Sequence, residues 1–144
     1  MSGSLRSPLP NDAALIVIDM QKAIDHPSWG ERNNPGAEQN VAALLHAWRT
    51  SKRPIYHIRH DSTEAASTYR PFQPGNDFKP EAQPLPDEIV IPKQTNSAFV
   101  HTELEARLRA AQQTMSLANV DGEYCTVVRT ADVLAVCRGN TDAY

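Results

Sequence analysis

The clearest apolar signal is the run Ala13-Ala14-Leu15-Ile16-Val17-Ile18, which is rich in β-branched residues and ends abruptly at Asp19. A short continuous run of this kind suits a strand buried on both faces, as in a parallel sheet. A polar loop punctuated by Gly and Pro follows, through Trp29, Gly30 and Asn34. Asn34-Pro35 reads as an N-cap followed by proline at the first helical position. Val41, Leu44, Leu45 and Trp48 then share one helical face, and that helix should fade near Lys52. Pro54 to Arg59 has the pattern of a short strand. Glu88 to Ile91 predicts a third, closed by Pro92 with Lys93 just beyond. Thr102-Glu103-Leu104-Glu105 has the capping-box form and opens a helix to about Ala111. Thr114 to Val120 predicts a fourth strand, and Tyr124 to about Cys137 a last helix ended by Arg138-Gly139.

One stretch breaks this alternation. From Asp61 to Pro86 the chain carries five prolines, Pro71, Pro74, Pro80, Pro84 and Pro86, which argues against a regular helix. Irregular loops of such length within a compact domain are usually functional or disordered. Elsewhere strands alternate with helices, so the expected class is α/β: a mostly parallel sheet with helices on both faces and right-handed crossovers. No repeat or linker divides the sequence, and residues 1–144 are expected to form one domain. Ligands of such sheets sit outside the carboxyl ends of the strands. Asp19 and Lys93 each follow a predicted strand directly, and Cys125 comes a few residues after another. An acid, an amine and a thiol are thereby delivered to one edge.

Composition narrows the classes. The 144 residues are 40% hydrophobic and 22% charged with a net charge of −3. Such a chain has no general electrostatic attraction to nucleic acid or anionic membrane, and no basic–aromatic interleaving suggests RNA or DNA. Two cysteines fit a reducing cytoplasm better than a disulfide framework. Met1 to Pro10 lacks the apolar core of a secretory signal, and the longest apolar run is too short to cross a bilayer. A cytoplasmic protein is expected.

Each chemical candidate has a plain alternative. Cys125 is expected in the first turn of the last helix, where the helix terminus and a nearby cation, Lys93, would favour the thiolate. It could equally be a small buried hydrophobe, and Cys137 is read that way. Asp19 ends the most apolar strand, where a carboxylate is costly unless paired or used. It suits a proton acceptor, or a strand-end cap. Lys93 could be an ordinary solvated lysine. His57, His60 and Asp61 invite a metal reading, but strand positions three apart point to opposite faces, so His57 and His60 should not share an ion. His26, His46 and His101 read as surface residues. Trp48 reads as helix-face core, while Trp29 could be core or pocket wall. No phosphate loop, dinucleotide fingerprint or serine-type elbow is present.

These residues resemble the isochorismatase-like cysteine hydrolases. Leu15-Ile16-Val17-Ile18-Asp19-Met20-Gln21 is similar to the family's opening strand with its Asp-x-Gln signature. Lys93-Gln94-Thr95-Asn96-Ser97-Ala98-Phe99 is similar to its Lys-x-x-x-Ser-Ala-Phe segment. Asn119-Val120-Asp121-Gly122-Glu123-Tyr124-Cys125 resembles its Gly-Val-x-Thr-x-x-Cys segment. The three motifs occur in order, and the resemblance covers roughly residues 12–136. It implies a three-layer, Rossmann-like fold and a triad of Cys125, Asp19 and Lys93. It also implies a cis peptide between Val120 and Asp121 that turns the Asp121 amide, beside that of Cys125, toward an oxyanion. A homo-oligomer is implied as well. Family members of this kind mostly hydrolyse C–N bonds of small amides. The vinyl-ether-cleaving branch typically lacks the cysteine, and the Asp-x-His…His zinc pattern of the nicotinamidase branch does not occur here.

Some positions depart from the pattern. Asn119 stands where Gly is usual, Gly122 where Thr is usual, and the Thr-Ala pair after the cysteine falls one position late, as Thr130-Ala131. The family fold also continues through a further strand, helix and strand, so the last strands are expected to be missing from this sequence. The reading adopted is a cysteine-dependent hydrolase of a small-molecule amide, with no cofactor and no metal, and with Trp29 and Phe99 as substrate-pocket walls. The rivals are a catalytically silent binding or assembly module and a metal-dependent hydrolase built on His57, His60 and Asp61.

Overall fold

The structure, a computed structural model, describes residues 9–111 and 129–139. Three strands pair in parallel: β1 (Leu15–Ile18), β2 (Ile55–His60) and β3 (Ile89–Lys93), in the order β1-β2-β3. Val17 lies opposite His57, His57 opposite Val90, and His60 opposite Lys93. The third strand runs two residues further than its hydrophobic pattern suggested. Lys93 is its last residue, because its pairing with His60 extends the ladder past Pro92.

Alternation along the strands sorts the core into two clusters, one on each face of the sheet. Val17 and Ile55 pack against Leu45 and Trp48 of α1 (Ala37–Thr50) and Cys137 of α3 (Thr130–Gly139). Tyr56, Ile58 and Ile91 pack against Leu104 and Leu108 of α2 (Leu104–Ala110). The result is the expected three-layer α/β fold. Trp48 also ties its helix to the sheet margin, donating its indole N–H to the Ala13 carbonyl at 2.8 Å.

Two helix starts differ from the sequence expectation. The first begins at Ala37 with Gly36 as its cap, because the Ala37 N–H closes a turn onto the Asn34 carbonyl and leaves Pro35 within that turn. In the second, Thr102 Oγ accepts from the Leu104 N–H at 3.4 Å, but Glu105 pairs with Arg109 and does not complete a reciprocal box. Among the described residues α3 begins at Thr130, where the Arg129 carbonyl accepts from the Asp132 and Val133 amides. The expected fourth strand, Thr114 to Val120, and the stretch from Tyr124 to Val128 lie outside the described residues.

The proline-rich segment between β2 and β3 supplies a parallel crossover without a regular helix. It contains 3-10 turns at Pro74–Asn76 and Pro80–Ala82. Asn76 pins it to the sheet, its amide donating to the His60 carbonyl, the Tyr69 carbonyl and Asp61 Oδ1. Gly75 permits the closest approach, since a Cβ there would lie 2.2 Å from the Thr68 carbonyl oxygen.

Candidate active site

Asp19 stands immediately past β1 with φ of 58°, in the left-handed region that side chains other than Gly rarely occupy. Its N–H still bonds the Ile58 carbonyl at 3.0 Å, and its carbonyl accepts from the Gln21 N–H at 2.8 Å. The chain thus turns sharply at the strand end. Lys93, at 3% exposure, ends β3 and directs its amine to Asp19 Oδ2 at 3.0 Å. The same amine donates to the carbonyls of Thr95 and Asn96, each at 3.2 Å. Two backbone carbonyls thus accept from the ammonium while it stays in ion-pair contact with Asp19. Asp19 Oδ1 is buried and has no hydrogen-bond partner among the described residues.

Gln21 is completely buried and holds the neighbouring strand end by its backbone. It donates to the His60 carbonyl at 3.0 Å and the Asn76 carbonyl at 2.9 Å, and accepts from the His60 N–H at 2.8 Å. The glutamine of the Asp-x-Gln signature thereby joins the ends of β1 and β2 to the proline-rich segment.

A cleft of about 400 Å³ opens over these strand ends, lined among the described residues by Asp19, Lys93, Trp29, His60, Tyr69 and others. One wall is aromatic. Trp29 meets Tyr69 edge-on at 5.7 Å, and Tyr69 meets His60 at 5.4 Å. The Trp29 indole N–H donates to Thr68 Oγ at 3.0 Å, which sets the ring's orientation. Burial, reinforced by the charges of Asp19 and Asp25, pushes the Tyr69 phenol above its ordinary range, so it remains protonated.

The structure brings Asp19, Lys93 and Trp29 together at the cleft. Phe99 is not among the described residues lining it. It packs against the second core cluster, because the segment after β3 turns Phe99 toward the α2 side of the sheet. Cys125 and the Val120–Asp121 peptide lie outside the described residues. Cys137 is buried among core residues.

The metal set is dispersed. His57 points to the α1 side, where its Nε2 meets Glu88 Oε1 at 2.9 Å, while His60 lines the cleft on the other. Asp61 is taken by Arg59 at 2.8 Å and by Asn76. Among the described residues no three His, Cys, Asp or Glu side chains gather in a way that could hold an ion. The sequence reading missed His60 as a cleft residue, along with Tyr69 and the clamp made by Gln21. The pairing of β2 with Gln21 could have been sought in the polar residue buried two positions after a strand-end acid, but Tyr69 left no local signal.

A parallel three-layer α/β domain with an acid–amine pair at the carboxyl ends of its strands defines the class. An isochorismatase-domain profile matches residues 13–126, and the chain belongs to the isochorismatase family. It is 35% identical over 118 residues to YrdC, an uncharacterised isochorismatase family protein of Bacillus subtilis, covering 81% of this chain and 63% of that one. It thus spans less than two thirds of that relative. A solved Chromobacterium violaceum protein assigned to the hydrolases of the isochorismatase family is 40% identical, with a TM-score of 0.82. That match covers 94% of this chain and all of the other. N-carbamoylsarcosine amidase of Thermoplasma acidophilum, at 23% identity and a TM-score of 0.56 over 69% of this chain and 62% of its own, shares the fold. No helix among the described residues is long and apolar enough to cross a membrane.

Proposed function

We propose that this protein hydrolyses the C–N bond of a small-molecule amide through Cys125, with Asp19 moving the proton and Lys93 fixing Asp19. The observation that carries the reading is the asymmetry of the Asp19 carboxylate. Oδ2 is held by a buried ammonium, while Oδ1 is buried and has no donor among the described residues. An acceptor left unmet in that way costs free energy unless a proton or donor arrives there. Family membership supports the class of reaction, and the three-motif resemblance supports Cys125 as nucleophile.

In this mechanism Asp19 takes the Cys125 thiol proton as the sulfur attacks the amide carbonyl. The backbone amides of Asp121 and Cys125 stabilise the oxyanion, a contribution of about 3–4 kcal/mol for a donor of this kind. As the C–N bond breaks, Asp19 returns the proton to the leaving amine, and a thioester remains. Water then attacks the thioester, giving its proton through Asp19 to the sulfur, and the carboxylic acid departs. The part of Lys93 is to hold the Asp19 carboxylate in place.

The reading predicts that iodoacetamide at mildly acidic pH alkylates Cys125 well ahead of Cys137, read by peptide mass spectrometry. Ammonia release from a panel of small carboxamides should be abolished in Cys125→Ala. Equal labelling of the two thiols, or full activity in that variant, refutes the assignment.

A further inference from the structure

The cleft contains a side chain for which the hydrolytic reading has no use. His60 ends β2, the middle strand of the described sheet, and so stands between the strand ends that supply Asp19 and Lys93. Its backbone N–H and C=O are both held by the Gln21 side chain. Its ring is braced edge-on by Tyr69 at 5.4 Å. Nδ1 is sealed into the wall without a partner among the described residues. In the neutral ring a proton on Nδ1 would be stranded away from any acceptor among the described residues, whereas a bare lone pair there leaves the N–H at Nε2. Nε2 is then the ring nitrogen available to the cleft.

We propose that His60 donates its Nε2–H to a second acceptor atom of the substrate, distinct from the scissile carbonyl, and so selects amides that carry such an oxygen or nitrogen. The proposal rests on the amide reading for the reacting bond, and on the clamped, braced ring for the donor. In that reading the scissile carbonyl already has donors in the backbone amides of Asp121 and Cys125. His60 is therefore left for another atom, and the Trp29–Tyr69 wall faces the apolar remainder of the molecule.

The test uses the full chain with 15N-labelled histidine. Long-range proton–nitrogen spectra report the tautomer of each ring, and the His60 signals are identified by their loss in His60→Gln. Methoxyacetamide and butyramide, which differ by an ether oxygen in place of a methylene, are titrated as probes. The expected result is a ring protonated at Nε2, whose resonance moves on adding methoxyacetamide, with binding about tenfold tighter than that of butyramide. The preference should be lost in His60→Asn and partly kept in His60→Gln, whose amide nitrogen can reach the place of Nε2. A ring protonated at Nδ1 overturns the inference. So does indistinguishable binding of the two amides to the unmutated protein, undetectable binding included. Ammonia assays on the same samples separate the two readings. A binding preference without turnover of either amide sinks the hydrolase reading and leaves the role of His60 standing. Turnover of both at equal kcat/KM does the reverse.

Discussion

Asp19 combines two costs that an ordinary strand-end residue would avoid. Its backbone is left-handed, and one carboxylate oxygen is buried without a donor among the described residues. Aspartate tolerates left-handed φ better than most residues, but the conformation still costs about 1–2 kcal/mol for a side chain bearing a Cβ. Both costs fall on the residue proposed to move the proton, which is where strain is expected to gather. Replacing Asp19 should therefore reverse the usual order of small residues. Asp19→Gly is expected to be more stable than Asp19→Ala by about 1 kcal/mol in urea unfolding, with both variants inactive. An Ala variant equal to or more stable than the Gly variant would show that the strand end is not strained.

At the level of elements, the proline-rich crossover is the feature that turns a sheet edge into a cleft. It carries Tyr69 and Thr68, and Thr68 in turn orients Trp29. The crossover can lie this close only because Gly75 has no side chain to meet the Thr68 carbonyl. Gly75→Ala should displace Thr68 and cost about 1–3 kcal/mol, the range for overpacking. A purely local effect would lower stability and leave Trp29 unaltered. The expected outcome is a lower melting temperature together with a changed Trp29 emission, measured in a Trp48→Phe background so that one indole reports. An unchanged spectrum would mean that the loop does not position the wall.

Across the molecule, buried charge ties α1 to the segment before β3 on the side away from the cleft. Glu88 is held at about 2 first by the hydrogen-bonded Arg49, against its burial, with help from Leu85 N–H and His57. Glu38 is likewise held at about 2 by Arg32 and Lys79. Burial pushes His57 below 6.5, more than its contact with Glu88 raises it. For all three the folded state binds protons less readily than the unfolded chain. The His57 contribution is present above pH 6.5 and declines below it. The glutamate contributions are complete above about 4.5 and are lost as the pH falls toward about 2. The melting temperature should accordingly fall in two stages on acidification from pH 8 to pH 3. His57→Gln should remove the upper stage and spare the lower. A flat profile down to pH 5 that then drops once would exclude the His57 contribution.

The elements and both acid–amine candidates were legible in the sequence because their causes are local. A β-branched run ending in Asp19, another strand ending near Lys93, and apolar positions at helical spacing each follow from a few neighbouring residues. The opposite facing of His57 and His60 was legible for the same reason, since strand alternation alone decides it. The helix start at Ala37 was misjudged because the turn hydrogen bond at Asn34 outweighed cap preferences read from residue type. The packing of Phe99 was not legible because it depends on the side of the sheet to which the chain turns after β3. What the sequence by itself determined was the class of fold and which strand ends carry ionisable groups. Only the tertiary structure decided which atoms meet: Asp19 with Lys93, Gln21 with His60, Tyr69 with Trp29. These pairs come from different strand ends and from the crossover between them, and their distances depend on register and loop path, which no local pattern encodes.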